Sequence, residues 1–357
     1  MESQDFAERI IGWYHHHKRD LPWRHSRDPY IIWLSEIILQ QTRVVQGLPY
    51  FMRFAEAFPT VYDLASASQQ EVLRLWQGLG YYSRARNMHA CARLIVEQHN
   101  GVFPLHYQEL LQLKGVGPYT AAAIASFAYN ETVAVLDGNV FRVLARVFGV
   151  EDDISSGQGQ KRFQALAAQL VPEGKAGEYN QAIMEFGALQ CTPQSPACLL
   201  CPLSEICYAF HHNAQKRLPV KIKKVKIRKR YFSYLLIRKD KQIYMKERGP
   251  GDIWQGLYDF HLLESRRAVD DVDDLPEDEL LSAIIEQANP QIEVSDVYRH
   301  VLTHQQLQLR FFLIDVSKGR LADSLWAKNQ LRPYTVDEVK ELPKPILIDK
   351  YLSEVIF

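Results

Sequence analysis

The chain has no apolar run of membrane-spanning length, no low-complexity tract, no internal repeat and no net charge, since 42 Lys and Arg balance 42 Asp and Glu. The first absence excludes a membrane-spanning helix. The lack of repeats and biased tracts excludes a solenoid or a largely disordered chain. Zero net charge means that any affinity for a polyanion must come from local patches. Cysteine is scarce as well, five in 357 residues. The segment Met1–Ile11 carries Glu2, Asp5, Glu8 and Arg9 where a secretory signal would be apolar, so the chain reads as intracellular and disulfides are not expected.

What remains is a long chain, 47% hydrophobic, able to bury a large core and to split into two or more domains. Up to about residue 215 apolar residues recur at three and four, as in Val72, Leu73, Trp76 and Leu79, which predicts helices separated by short Gly- and Pro-rich turns. After residue 230 the texture changes. Tyr231–Ile237 and Ile243–Glu247 flank Lys-Asp-Lys like a hairpin, Leu307–Val316 reads as a further strand, and Glu277–Ala288 as an amphipathic helix. The expected fold is a mainly α body over 1–215, a basic linker over 216–230 and an α+β domain over 231–357. The linker run, Lys216, Arg217, Lys221, Lys223, Lys224, Lys226, Arg228, Lys229 and Arg230, holds no acid and suits either solvent or phosphate. The acidic stretch Asp270–Glu279 reads as a surface loop leading into a helix.

Four of the five cysteines, Cys191, Cys198, Cys201 and Cys207, follow C-x6-C-x2-C-x5-C with Pro193, Pro196 and Pro202 stiffening the turns between them. Thiolates so spaced can converge on one metal centre without a long loop closure. Iron–sulfur and zinc are both open to this pattern. The single C-x2-C pair favours iron–sulfur, because structural zinc more often uses two such knuckles. Cys91 stands apart and reads as a small buried hydrophobe.

Leu113-Lys-Gly-Val-Gly-Pro-Tyr-Thr-Ala121 is a tight turn between helices, and Gly115 and Gly117 can take positive φ there and present backbone N–H groups to an anion. Asp137, in Val135-Leu-Asp-Gly-Asn-Val140, stands just before another predicted helix. It suits an N-cap, and the positive end of that helix also keeps a carboxylate ionised opposite a developing cation. Glu36 lies in the apolar stretch Tyr30-Ile-Ile-Trp-Leu-Ser-Glu-Ile-Ile-Leu-Gln40. Pointing inward, it would be desolvated and keep its proton near pH 7. One raised carboxylic acid and one ionised carboxylate form the pair that glycosidic cleavage through an oxocarbenium-like state requires.

Together with Leu21-Pro-Trp-Arg24, Trp33-Leu-Ser-Glu-Ile-Ile-Leu-Gln-Gln-Thr42 and Trp76-Gln-Gly-Leu-Gly-Tyr-Tyr-Ser-Arg-Ala-Arg86, these blocks resemble the endonuclease III superfamily of helix-hairpin-helix DNA glycosylases, and within it the MutY type that acts on adenine. The resemblance implies a hairpin at about 108–129, one 4Fe-4S cluster on the 191–207 loop, and a monomer of the cytoplasm or nucleoid that acts on double-stranded DNA holding adenine opposite 8-oxoguanine or guanine. Glu36 is implied as the acid that protonates adenine at N7, with Asp137 as its partner and Tyr119 and Asn139 near the reacting sugar. Arg24 and Glu185 fall where the family contacts the flipped base, and Gln40 and Tyr81 match its wedge residues. Strand-cleaving relatives carry a lysine at the position of Tyr119, so base removal without β-elimination is implied.

The C-terminal domain resembles the Nudix-like module of the same family through Asp252-Ile-Trp-Gln-Gly-Leu-Tyr-Asp-Phe260, without the Nudix catalytic helix signature. Where the family reads 8-oxoguanine with a Phe-Ser-His loop, this chain has Leu302, Thr303 and His304, which keeps a hydroxyl and an imidazole and loses a stacking face.

Overall fold

The computed structural model describes residues 3–222, 227–316 and 321–357; Lys223, Lys224 and Lys226 of the basic run lie outside them. The chain divides into two compact units, one of Met1–Ser66 with Asn87–Lys223, the other of Ala67–Arg86 with Lys224–Phe357. Among the described residues no helix is long and apolar enough to cross a membrane.

In the first unit the helix Pro29–Leu39 starts where Asp28 accepts the Tyr30 N–H at 2.8 Å and Pro29 fixes the first turn. It is buried on almost every side, by Tyr30, Ile32, Trp33, Leu34, Ile37 and Ile38. Its neighbour is Pro118–Tyr129, whose Ala121, Ala122, Ala123 and Ala125 are small enough for close helix packing. The helices Gly138–Phe148 and Ala176–Leu189 pack on each other and, with Ser3–His17, enclose a core of Phe6, Ile10, Val143, Leu144, Phe163, Tyr179, Ile183 and Phe186. Each such side chain contributes roughly 1.5–3 kcal/mol on burial. Gly187 is needed at the crossing, because a Cβ there would stand 2.7 Å from the Asn139 Cβ.

The second unit is built on eight strands: β1 (Arg228–Lys239), β2 (Gln242–Glu247), β3 (Tyr258–Asp259), β4 (His261–Ser265), β5 (Gln291–Val294), β6 (Tyr298–Val301), β7 (Gln305–Asp315) and β8 (Arg332–Thr335). The order is β3-β2-β1-β7-β5, with β4 on β1, β6 on β7 and β8 on β2; among the described residues only β1 and β7 run parallel. The expected hairpin is β1–β2, closed by Asp240 and Lys241 at φ 49 and 64, the left-handed pair that matches strand twist in a two-residue turn. Leu235, Ile237, Phe312 and Ile314 pack one face on Leu280, Leu281 and Ile284 of the helix Glu279–Ala288. On the other face Phe311 stacks on Tyr351, ring centroids 4.0 Å apart.

Three sequence expectations need correction. The body expected over 1–215 is not continuous: residues 67–86 belong with the C-terminal unit, where Arg86 donates to the Gln255 carbonyl at 2.8 Å, Gln77 accepts the Lys344 N–H at 2.9 Å and Leu73 lies beside Gly256. Of the linker expected over 216–230, Arg228, Lys229 and Arg230 are in β1, and Arg230 is buried between Glu264 and Asp252. The acidic-loop helix begins at Glu279, two residues late, because Asp278 caps it by accepting the Leu281 N–H at 3.0 Å.

Candidate active site

A cavity of about 180 Å³ in the first unit is lined by Trp23, Arg24, Glu36, Tyr119, Asp137, Asn139 and Glu185, among others. The helices Pro29–Leu39, Pro118–Tyr129, Gly138–Phe148 and Ala176–Leu189 all contribute to it. Glu36 comes from the middle of Pro29–Leu39 and points inward, 6% exposed. Burial raises its pKa to about 7; a hydrogen bond from the Tyr119 hydroxyl opposes that, the charge of Asp137 adds to it and Arg24 opposes it. At neutral pH a large fraction of Glu36 therefore keeps its proton.

Asp137 caps Gly138–Phe148 and accepts three N–H bonds, from the Asn139 backbone at 2.8 Å, the Val140 backbone at 2.7 Å and Asn139 Nδ2 at 2.7 Å. Burial raises its pKa as well, against those donors and the charge of Arg142. The two carboxyls differ in what they bond. Three donors address the charged form of Asp137, which is half-buried, whereas Glu36 receives a single hydroxyl in a desolvated slot. The donors around Asp137 favour its charged form, and burial favours the neutral form of Glu36.

Glu185 is 1% exposed, and burial would raise its pKa, yet hydrogen bonds from Arg19 and Arg24 outweigh this and hold it at about 2. Arg19 and Arg24 each grip both carboxylate oxygens, at 2.6–2.8 Å and 2.7–3.1 Å. Sequence reading missed Arg19, which has no local signal because its partner is distant in the chain. It also missed Arg142, which donates to Asn139 Oδ1 at 2.9 Å and to the Cys191 carbonyl at 2.7 Å. Its position one turn after Asn139 on the same helix was the available clue. A larger cleft of about 700 Å³ shares Arg19, Leu21, Arg24, Phe127 and Gln181 with the cavity but contains neither Glu36 nor Asp137.

Other candidates lie outside this cavity. Gln40 ends its helix and donates to Thr120 Oγ1 at 3.0 Å. Gly115 takes φ +80 with no room for a Cβ against Asn87, as expected. Gly117 does not take positive φ: at φ −94, ψ 177 it is the extended N-cap residue of Pro118–Tyr129. Tyr81, Thr303 and His304 belong to the second unit. Tyr81 is 48% exposed at φ 50, whereas Tyr82 is buried. The Tyr81 hydroxyl meets Thr303 Oγ1, and Thr303 and His304 are exposed in the turn between β6 and β7.

Cys191, Cys198, Cys201 and Cys207 line one pocket with Val147, Phe186 and Phe210, and Arg146 donates to Cys191 Sγ at 3.4 Å. Among the described residues, no group of three or more His, Cys, Asp or Glu is placed to hold a single metal ion. Four thiols around a shared pocket are the donor set that either tetrahedral zinc or a four-cornered iron–sulfur cluster takes. The donor set fits a 4Fe-4S cluster, which when bound supplies iron–thiolate bonds from all four positions of the loop. Cys91 is fully buried, and burial pushes its thiol up to about 12.

Three family models match this chain: the HhH-GPD superfamily base excision DNA repair protein over residues 34–170, the iron-sulfur binding domain of endonuclease III over 191–207, and a NUDIX domain over 233–354. An adenine DNA glycosylase of Buchnera aphidicola subsp. Baizongia pistaciae is 32% identical over 361 residues, covering 99% of this chain and 98% of its own. That of Rattus norvegicus is 45% identical over 222 residues, 60% of this chain; the match spans 43% of the rat protein's length. Among solved structures, a thermostable thymine-DNA glycosylase superposes with TM-score 0.54 at 30% identity, covering 59% of this chain and 97% of its own. A non-covalent endonuclease III–DNA complex superposes with TM-score 0.52 at 21% identity, covering 60% of this chain and all of its own, and shares the fold. Buried acid, capped carboxylate, cysteine loop and end-to-end similarity agree, and the chain belongs to the MutY-type adenine DNA glycosylase family.

Proposed function

We propose that this protein hydrolyses the N-glycosidic bond of adenine mispaired with 8-oxoguanine, and less readily with guanine, in duplex DNA, leaving an abasic site and starting base excision repair. The observation that carries this reading is the buried Glu36 with a pKa of about 7 in one cavity with Asp137. Glu36 passes its proton to the adenine ring, so that the base leaves neutral when the bond to the sugar breaks. Asp137, held by its three N–H donors, faces the electron-poor sugar, and a water then adds to that carbon and loses a proton. Tyr119 orients the acid through its hydroxyl, and Arg24 and Glu185 form a charged, pre-ordered cavity wall for the everted base.

A panel of duplexes tests the substrate. Under single-turnover conditions adenine should be released opposite 8-oxoguanine and guanine, and thymine or uracil at those positions should remain; release of thymine in preference to adenine would overturn the reading. In the same assay borohydride should trap no covalent complex, because Tyr119 offers no amine for a Schiff base.

The opposite base is the part read by the second unit. Thr303 and His304 supply a hydroxyl and an imidazole on an exposed turn, tethered by Tyr81. Replacing both by alanine is expected to lower the preference for 8-oxoguanine over guanine duplexes about tenfold, the loss of one or two hydrogen bonds. Equilibrium binding to the two duplexes measures it, and an unchanged ratio would remove this turn from lesion recognition.

A further inference from the structure

The sheet face that carries Leu235, Ile237, Phe312 and Ile314 under the helix Glu279–Ala288 turns polar toward its other end. The registers set Tyr231 beside Gln308 beside Arg299, and Lys229 beside Gln306 beside Val301. Alternate residues of a strand share a face. Lys229, Tyr231, Arg299, Gln306 and Gln308 accordingly line one cleft of about 190 Å³, and among the described residues no carboxylate lines it. The cations around it are already paired: Arg230 with Glu264 and Asp252, Arg228 with Glu264, and Arg310 with Asp270. Lys229 and Arg299 are exposed and, among the described residues, make no side-chain hydrogen bond or ion pair.

We propose that this cleft is a phosphate-binding site for the DNA strand whose base meets the β6–β7 turn. The inference rests on the reading of that turn as the lesion contact and extends it along the backbone. Two unpaired cations supply the charge, while the tyrosine hydroxyl and glutamine amides supply directional donors to phosphate oxygens. The two rows lie two and four residues from Thr303, roughly 7 and 13 Å along the strand. At roughly 3.4 Å per nucleotide along the duplex axis, the cleft would hold phosphates about two to four nucleotides from the lesion. Its two unpaired cations assign it to grip and register.

The test uses the full-length protein with its cluster, carrying Lys229→Ala and Arg299→Ala together, with Lys229→Arg and Arg299→Lys together as the charge-retaining control. Affinity is measured against salt on 8-oxoguanine and guanine duplexes. The slope of log affinity on log salt should shrink by about 1.8, and affinity should fall about tenfold on both duplexes, while the control keeps the wild-type slope. Single-turnover release at saturating enzyme should not change. Neutral methylphosphonates placed two to four nucleotides from 8-oxoguanine should weaken the wild type and leave the alanine variant indifferent. An unchanged slope, or equal methylphosphonate sensitivity in both proteins, overturns the proposal; so does a loss confined to the 8-oxoguanine duplex, since a phosphate contact does not sense the base. Failure of the turn as lesion reader shows instead in the ratio of the two duplexes with Thr303 and His304 replaced, where the salt slope stays intact.

Discussion

Glu36→Gln is expected to slow adenine release by roughly 10³-fold while binding of the lesion duplex stays within about threefold of wild type. Glutamine fills the same volume and can still meet the Tyr119 hydroxyl, but it has no proton to give. The pH profile supplies an independent check. A carboxyl raised to about 7 is protonated below that pH, so the wild-type rate should be level just below it, fall about tenfold per unit above it, and fall again in acid where Asp137 takes up a proton. The residual rate of the glutamine variant should lose the upper bend. Stability should fall in the same direction: because burial raises the folded pKa above its unfolded value, the fold loses stability as pH climbs from the ordinary glutamate range through about 7. The variant should then melt no lower than wild type at pH 8. Full-rate release by Glu36→Gln, or a wild-type rate that persists unchanged to pH 9, would remove Glu36 from the chemistry.

The second large effect is at Asp137. Asparagine there keeps an oxygen for the backbone N–H groups of Asn139 and Val140, so the cap survives, and a drop in stability of about 1 kcal/mol or less is expected. The charge is lost, and its amide would confront Asn139 Nδ2, which now donates to Asp137 Oδ2. Release should slow by about 10²–10³-fold, the scale on which a pre-oriented electrostatic group acts. Asp137→Ala separates the two roles, because it should lose a further ~1 kcal/mol with the cap while slowing chemistry no less. Thermal melting alongside single-turnover rates measures both, and an asparagine variant at wild-type rate would show that the sugar needs no negative partner from this position.

Both carboxyls were legible because each is announced by its own neighbours, Glu36 by an apolar helix around it and Asp137 by the residue types that start a helix. The cysteine loop was legible for the same reason. What escaped depends on partners remote in sequence. Arg19 matters through Glu185 and Arg142 through the Cys191 carbonyl, contacts that leave no local trace, although the bond from Arg142 to Asn139, one turn back, did offer one. The two glycines of the hairpin illustrate the limit of composition: both could take positive φ, and only Gly115 does, because Gly117 must be extended to begin Pro118–Tyr129. Apolar periodicity also placed Val72, Leu73 and Trp76 on a helix face without saying what would cover it. Leu73 lies beside Gly256 of the second unit.

That arrangement has an effect on how the protein is made. A ribosome delivers residues 67–86 long before Gln255, Gly256, Tyr258 and Lys344, the groups against which Gln77, Leu73, Gln70 and Arg86 come to rest. Until those groups have emerged, these contacts of residues 67–86 cannot form. Synthesis of the carboxyl-terminal half is therefore the event that completes the setting of residues 67–86.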